Sequence, residues 1–259
     1  MQGPVGALYV DDGGKGGVPV VFVHASAGNT GHWAAQLAHL RRRQRAIALD
    51  LRGHGRSALS WDGRYSVEAL AEDVEAVVRG LGLTRYVLVG HSLGGAVCVA
   101  QAAAHPGAVA GLFLLDPASD GRDMPPEQAQ GLMAALASDD WAQVVEQFWS
   151  PMLADSRPEV RARIVADLRR TPREAVRGPL GALLTFDPVA ALKRYRGPRL
   201  SVVTRFNDAP GSYHRLVADL PSRPMEGVGH WVQLDAPEAV NAALDAFLAQ
   251  LGGASSTTE

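Results

Sequence analysis

The run Val87-Leu88-Val89-Gly90-His91-Ser92-Leu93-Gly94-Gly95 constrains this chain more than any other stretch. Its valine-rich start reads as a buried strand, and the alanine-rich segment after it reads as a helix. A serine between glycines at such a junction sits on a sharp, strained turn. Side chains at Gly90 and Gly94 would clash there. The Ser92 hydroxyl then stands free at the end of the strand, and the Leu93 amide points at the same space. One local feature thus predicts a nucleophile and half of an oxyanion hole. The alternative is a serine that only caps a helix start, a position serine favours. The strand before Ser92 and the helix after it favour the first reading.

The same alternation extends along the first half of the chain. Val18 to Val23, Ala46 to Leu49 and Val109 to Leu115 read as strands, and Gly31 to Arg43, Val67 to Gly80 and Leu93 to His105 as helices. Strict alternation predicts a mostly parallel central sheet flanked by helices. After Pro117 the pattern breaks into helical segments rich in arginine, aromatic residues and proline. It resumes with a strand at Arg199 to Thr204, a short strand before Gly227 and a helix from Ala236 to Leu251. Asp235, Pro237 and Glu238 carry the start signals of that helix, with Asp235 as its N-cap. The expected organisation is a core of residues 1–116 and 187–251, a helical cap of residues 117–186 inserted after the sixth strand, and a disordered tail of residues 252–259.

Composition excludes several classes. Hydrophobic residues make up 47% of the 259-residue chain, so global disorder is excluded. The net charge is −2 and no basic stripe occurs, which argues against nucleic acid and anionic membranes as partners. Arg41-Arg42-Arg43 reads as a solvated helix end. No apolar run is long enough for a membrane span, and Met1 to Val10 lack a signal-peptide pattern, so a cytoplasmic location is expected. The single cysteine, Cys98, reads as core packing. No metal or organic cofactor is expected, because cysteine and histidine do not cluster at ligand spacing and no glycine-rich dinucleotide turn follows the first strand.

A serine nucleophile needs a base. His230, in Gly227-Val228-Gly229-His230, follows a short strand and precedes the last helix, as a base on an open parallel sheet should. His214 and His105 read as helical surface positions, His54 as a turn residue, and His91 as pointing to the opposite side of the turn. The imidazole needs a carboxylate to fix its tautomer. Asp208 follows the strand before the histidine strand and is the first choice; Asp116, at the end of Val109 to Leu115, is the rival. The second oxyanion donor is assigned to the Ser26 amide, with Ala25 next, in the small-residue loop after Val20 to Val23.

These runs resemble the α/β-hydrolase superfamily, in its compact bacterial esterase-like and haloperoxidase-like branch. The matching segments are Val21 to Gly28 followed by Trp33, Leu49 to Ser57, Val89 to Gly95, Leu114 to Pro117, Asn207-Asp208 and Gly229-His230. The chain departs from the family pattern at Ala25, where glycine is usual, and at Thr204, where the acid loop usually begins with glycine. The resemblance implies the α/β-hydrolase fold, and the triad implies acyl transfer through a serine ester, with a small-molecule ester as substrate. A serine nucleophile argues against the dehalogenases and epoxide hydrolases of this fold, which use aspartate. Trp141, Phe148, Trp149 and Trp231 are candidates for the substrate pocket, and Arg122, Arg173 and Arg177 for a substrate anchor. Neutral, small to medium esters are favoured, aromatic esters and lactones included. Perhydrolysis, carbon–carbon bond hydrolysis and a ligand sensor on the same scaffold are the alternatives.

Overall fold

The structure is a computed structural model that describes residues 1–253. A small hairpin pairs β1 (Gln2–Gly3) with β2 (Gly6–Ala7). The main sheet has seven strands: β3 (Val10–Gly13), β4 (Val20–Val23), β5 (Ala46–Leu49), β6 (Tyr86–His91), β7 (Val109–Leu115), β8 (Arg199–Val203) and β9 (Ser222–Pro224). Their order is β3-β5-β4-β6-β7-β8-β9, antiparallel only between β3 and β5. The central strands are buried on both faces, which is why they read as continuous apolar runs.

Side chains alternate between two cores. Val21, Val23, Leu88, Leu112 and Leu114 pack on one face against α2 (Val67–Gly80), α3 (Leu93–Ala104) and α8 (Pro188–Arg194). Val20, Phe22, Val87, Val89 and Phe113 pack on the other against α1 (Ala34–Leu40) and α11 (Pro237–Gly253), which follows the one-turn helices α9 (Tyr213–Leu216) and α10 (Val232–Asp235). The expected Gly31 to Arg43 helix divides into a 3-10 turn at Thr30–Trp33 and the shorter α1. Arg41, Arg42 and Arg43 follow α1 as expected, but they bond Asp11, His39 and Asp245 rather than water alone.

Between β7 and α8 lie four helices and no strand: α4 (Pro126–Ala135), α5 (Trp141–Trp149), α6 (Pro158–Arg170) and α7 (Arg173–Leu183). They build a third cluster around Leu136, Val145, Trp149, Ile164 and Leu168, which Trp231 joins from the sheet side. Residues 252 and 253 continue α11, so the expected tail does not begin at 252; residues 254–259 lie outside the described residues. No helix among the described residues is long and apolar enough to cross a membrane.

The Leu49 to Ser57 run organises loops beneath the site. Buried Asp50 accepts the Thr30 amide at 2.6 Å and the Arg56 amide at 2.8 Å, tying two loops together. Buried Arg52 pairs with Asp73 on α2 through Nε at 2.9 Å and a second nitrogen at 2.7 Å. Removing either partner would leave a buried charge uncompensated.

Candidate active site

Ser92 occupies the junction of β6 and α3 with φ 52° and ψ −118°, a conformation disfavoured for any residue with a Cβ. The chain tolerates it because the glycines on either side let strand and helix touch. A Cβ on Gly94 would collide with the Val23 carbonyl, and one on Gly90 with the Gly94 carbonyl. Among the described residues, two other non-glycine residues have positive φ, Ala27 at 52° and Asp116 at 44°, and both lie at this end of the sheet. Strain gathered in this way marks a functional site.

His230 stands on the loop after β9, and its ring is buried. Its Nδ1 donates to Asp116 Oδ2 at 2.5 Å. Asp116 is fully buried at the end of β7, where the register pairs His91 with Leu115 and so sets Asp116 beside Ser92. Thr204 completes the shell of the carboxylate: its amide donates to Oδ1 at 2.7 Å and its hydroxyl to Oδ2 at 2.9 Å.

The carboxylate beside His230 is thus Asp116, which corrects the first choice of Asp208. Asp208 is exposed and bonds Arg215 at 2.7 and 2.9 Å and His214 at 3.0 Å. The Arg215 guanidinium, with His214, holds its carboxyl down to about 2. His214 is helical as read, but its side chain is nearly buried by that contact rather than on the surface.

The His230 backbone is fixed at both ends. Its amide donates to the Met152 carbonyl at 3.0 Å, and its carbonyl accepts from His91 Nε2 at 2.9 Å. His91 Nδ1 in turn accepts from Gln233 at 3.1 Å, which sets the tautomer. His91 does not line the cavity; its ring packs 4.7 Å from that of His230 and supports the loop that carries the base. Burial keeps its imidazole well below the usual histidine range.

Ser92, Leu93, Ala25, Ser26 and His230 line one cavity of about 280 Å³. Among the described residues, the Ser26 and Leu93 amides donate no hydrogen bond, and the Ser92 hydroxyl forms none. Hydrogen bonds of this kind often tighten only when substrate is present. The far walls are apolar: Leu132, Leu136, Val145, Phe148, Trp149 and Leu180 from the helical segment, with Trp231 beside them. Of the four pocket candidates, Phe148, Trp149 and Trp231 line it. Trp141 does not; it starts α5 one turn before Val145 and packs half-buried against the third cluster.

The arginine candidates do not line the cavity. Arg122 is held by Asp120 at 2.7 Å and Asp187 at 2.6 Å, and Arg173 donates to the Ala137 carbonyl at 3.0 Å. Among the described residues the one carboxylate in the wall is Asp120, which Arg122 holds below the usual carboxylate range. Two residues at the site carried no assignment from sequence, Thr204 and Phe206. The replacement of the usual glycine by threonine was the signal for the first.

The sequence profile of the alpha/beta hydrolase fold matches residues 18–237. The chain belongs to the alpha/beta hydrolases. Within that superfamily it is similar to the dihydrolipoyllysine-residue acetyltransferase component of an acetoin cleaving system from Pseudomonas putida, at 33% identity over 248 residues. The match covers 91% of this chain and 65% of that protein, so the chain spans less than two thirds of that relative. Among solved structures, this alpha/beta hydrolase resembles a thermophilic esterase from Thermogutta terrifontis, with a TM-score of 0.81 and 27% identity over 94% of this chain and 93% of the esterase. It resembles Est816, an N-acyl homoserine lactone degrading enzyme, with a TM-score of 0.80 and 28% identity over 93% of this chain and 96% of Est816.

Proposed function

We propose that this alpha/beta hydrolase cleaves small to medium, neutral carboxylic esters, cyclic ones included, through an acyl-enzyme on Ser92. The observation that carries this reading is the sharing of one apolar cavity by strained Ser92 and by His230, whose Nδ1 donates to buried Asp116 at 2.5 Å.

Ser92 Oγ attacks the ester carbonyl carbon and passes its proton to His230 Nε2. Asp116 orients the imidazole and stabilises the imidazolium that forms. The Ser26 and Leu93 amides receive the developing oxyanion. The carbon–oxygen bond to the alcohol breaks, and the alkoxide takes the proton from Nε2. Water, activated by the same imidazole, then releases the acid. Neutral substrates are supported by the wall, whose apolar surface favours an uncharged group and whose one carboxylate among the described residues, Asp120, is already paired with Arg122. The esterase and lactone-degrading names of the two structural relatives support the ester class and the inclusion of lactones.

Steady-state hydrolysis of p-nitrophenyl acetate and butyrate tests the reading. The wild type should turn over, and Ser92→Ala should lose about a millionfold in turnover, as loss of the nucleophile does in a comparable triad. A fluorophosphonate probe should label Ser92 and no other residue. An active alanine variant, or labelling elsewhere, rejects the assignment.

A further inference from the structure

We propose that Phe206 selects the alcohol side of the substrate, and that the preferred alcohol is aromatic. This rests on the reading of Ser92 and His230 as nucleophile and base.

The cavity has a closed end and a mouth. Leu136, Val145, Trp149 and Trp231 are buried and line the closed end. Phe148 and Phe206 line the same cavity yet are 45% and 42% exposed, so they form its lip. Large apolar side chains exposed around a cleft mark a surface that a ligand covers. Phe206 also packs edge-on against His230, with ring centroids 5.9 Å apart and planes at 63°.

The turn that carries Phe206 is held in place. It is the short 3-10 turn Arg205–Asn207. Arg205 pairs with Asp155 at 2.5 Å, which ties one side of the turn to the helical segment. Asn207 is buried on the other side and bonds Ser119 at 2.7 Å and the Pro117 carbonyl.

The chemistry fixes which half of the ester meets this ring. Nδ1 of His230 is taken by Asp116, so the proton for the leaving oxygen can come only from Nε2. The departing alcohol oxygen must therefore come within hydrogen-bond reach of that nitrogen. Two rings that line the cavity pack edge-on against the imidazole, Trp231 at 5.1 Å and Phe206 at 5.9 Å; Trp231 is buried at the closed end, so a group attached to this oxygen and directed to the mouth lies against Phe206. The acyl carbon stays bonded to Ser92, and the closed apolar end is the space left for its chain. The acyl group is thus enclosed and limited in length. The alcohol faces an aromatic lip, where a ring can pair with Phe206.

Two ester series separate the halves of the substrate. In one, ethyl, cyclohexylmethyl and benzyl butyrate vary the alcohol. In the other, ethyl acetate, butyrate and hexanoate vary the acyl chain. Both are run on the wild type, Phe206→Ala, Phe206→Leu and Ser92→Ala. The wild type should prefer the benzyl over the ethyl ester. Phe206→Ala should lower the benzyl-to-ethyl ratio of kcat/KM by about 3- to 10-fold, the range of an aromatic pair, mainly through KM. Phe206→Leu should recover part of the ratio, and the acyl order should not change in either variant. An unchanged benzyl-to-ethyl ratio, or a shift in the acyl order, overturns the assignment of Phe206. Hydrolysis that survives in Ser92→Ala overturns the catalytic reading itself, whatever the ratio does.

Discussion

Thr204 donates twice to Asp116, through its amide at 2.7 Å and its hydroxyl at 2.9 Å. Both residues are buried, so water does not compete for the carboxylate. With His230 Nδ1 as the third donor, the carboxylate accepts three hydrogen bonds. They lock its plane, and the imidazole takes its orientation from it. The threonine thus acts on the chemistry through Asp116 and is a positioning residue.

Thr204→Val should show this. The variant keeps the shape and the amide but loses the hydroxyl. A buried hydrogen bond to a charged group contributes about 1.5–3 kcal/mol, so chemical denaturation should report a loss in that range. Turnover should fall about tenfold, as a looser carboxylate orients the imidazole less well. Thr204→Ser, which restores the hydroxyl, should recover most of the activity.

The two aspartates should respond very differently. Asp116→Asn keeps the shape but can favour the wrong imidazole tautomer, and in a comparable triad that change costs about ten-thousandfold in turnover. Asp208→Asn breaks only exposed bonds to Arg215 and His214 and should keep turnover within about twofold, in line with the small worth of surface pairs. Comparing kcat for the two variants on one ester decides between them.

The contrast between these aspartates also marks where sequence reasoning stopped. Ala46 to Leu49, Val67 to Gly80 and Val109 to Leu115 have the expected boundaries, because an apolar run or a helical apolar face ends sharply at each limit. The three N-terminal strands carry no such pattern. Val10-Asp11-Asp12-Gly13 is a strand because it pairs with Ala46 to Leu49, a long-range bond that leaves no mark on its own composition. Ser92 and His230 were legible because each sits at the end of a strand among glycines. The choice of carboxylate was not, since both aspartates follow neighbouring strands. It depends on the partner: Asp208 meets Arg215, seven residues on, and Asp116 meets Thr204. Asp235 misled for a related reason. Its carboxylate accepts from Ser156 and from the Arg157 amide, far away in sequence, although its position suggests the cap of α11.

Four buried histidines should make stability depend on pH; one of them is His32, whose imidazole burial also lowers. Burial pushes His24 and His54 down to about 3 and His91 well below the usual range. In the unfolded chain each would titrate near 6.5. Below that pH the unfolded state binds protons that the folded state excludes. Their contribution is complete above about pH 6.5 and is lost as pH falls toward about 3. Each proton steepens the decline by about 1.4 kcal/mol per pH unit. Urea denaturation between pH 7 and 4.5 should show stability falling with acid. His54→Asn keeps a donor for the Arg52 carbonyl and should make that slope shallower by about one proton. An unchanged slope would show that His54 takes up its proton while folded.

The loop that carries the base is clamped by the helical segment, and Gly229 is where the two surfaces touch. A Cβ there would collide with Ser156 Oγ and lie 3.1 Å from the Met152 carbonyl, the acceptor of the His230 amide. Ser156 cannot simply turn away, since its hydroxyl donates to Asp235 Oδ2 at 2.7 Å. Gly229→Ala should therefore shift the imidazole and cost about a hundredfold in turnover, the order expected of a misplacement near 1 Å. Ser156→Ala alone removes one exchangeable hydrogen bond and should cost about 1 kcal/mol of stability with little loss of turnover. In the double variant the colliding oxygen is gone, so turnover should recover to within about tenfold of the wild type. Such recovery is a non-additive result that only contact between the two sites produces. If the double variant is as slow as Gly229→Ala, the clash with Ser156 is not what displaces His230.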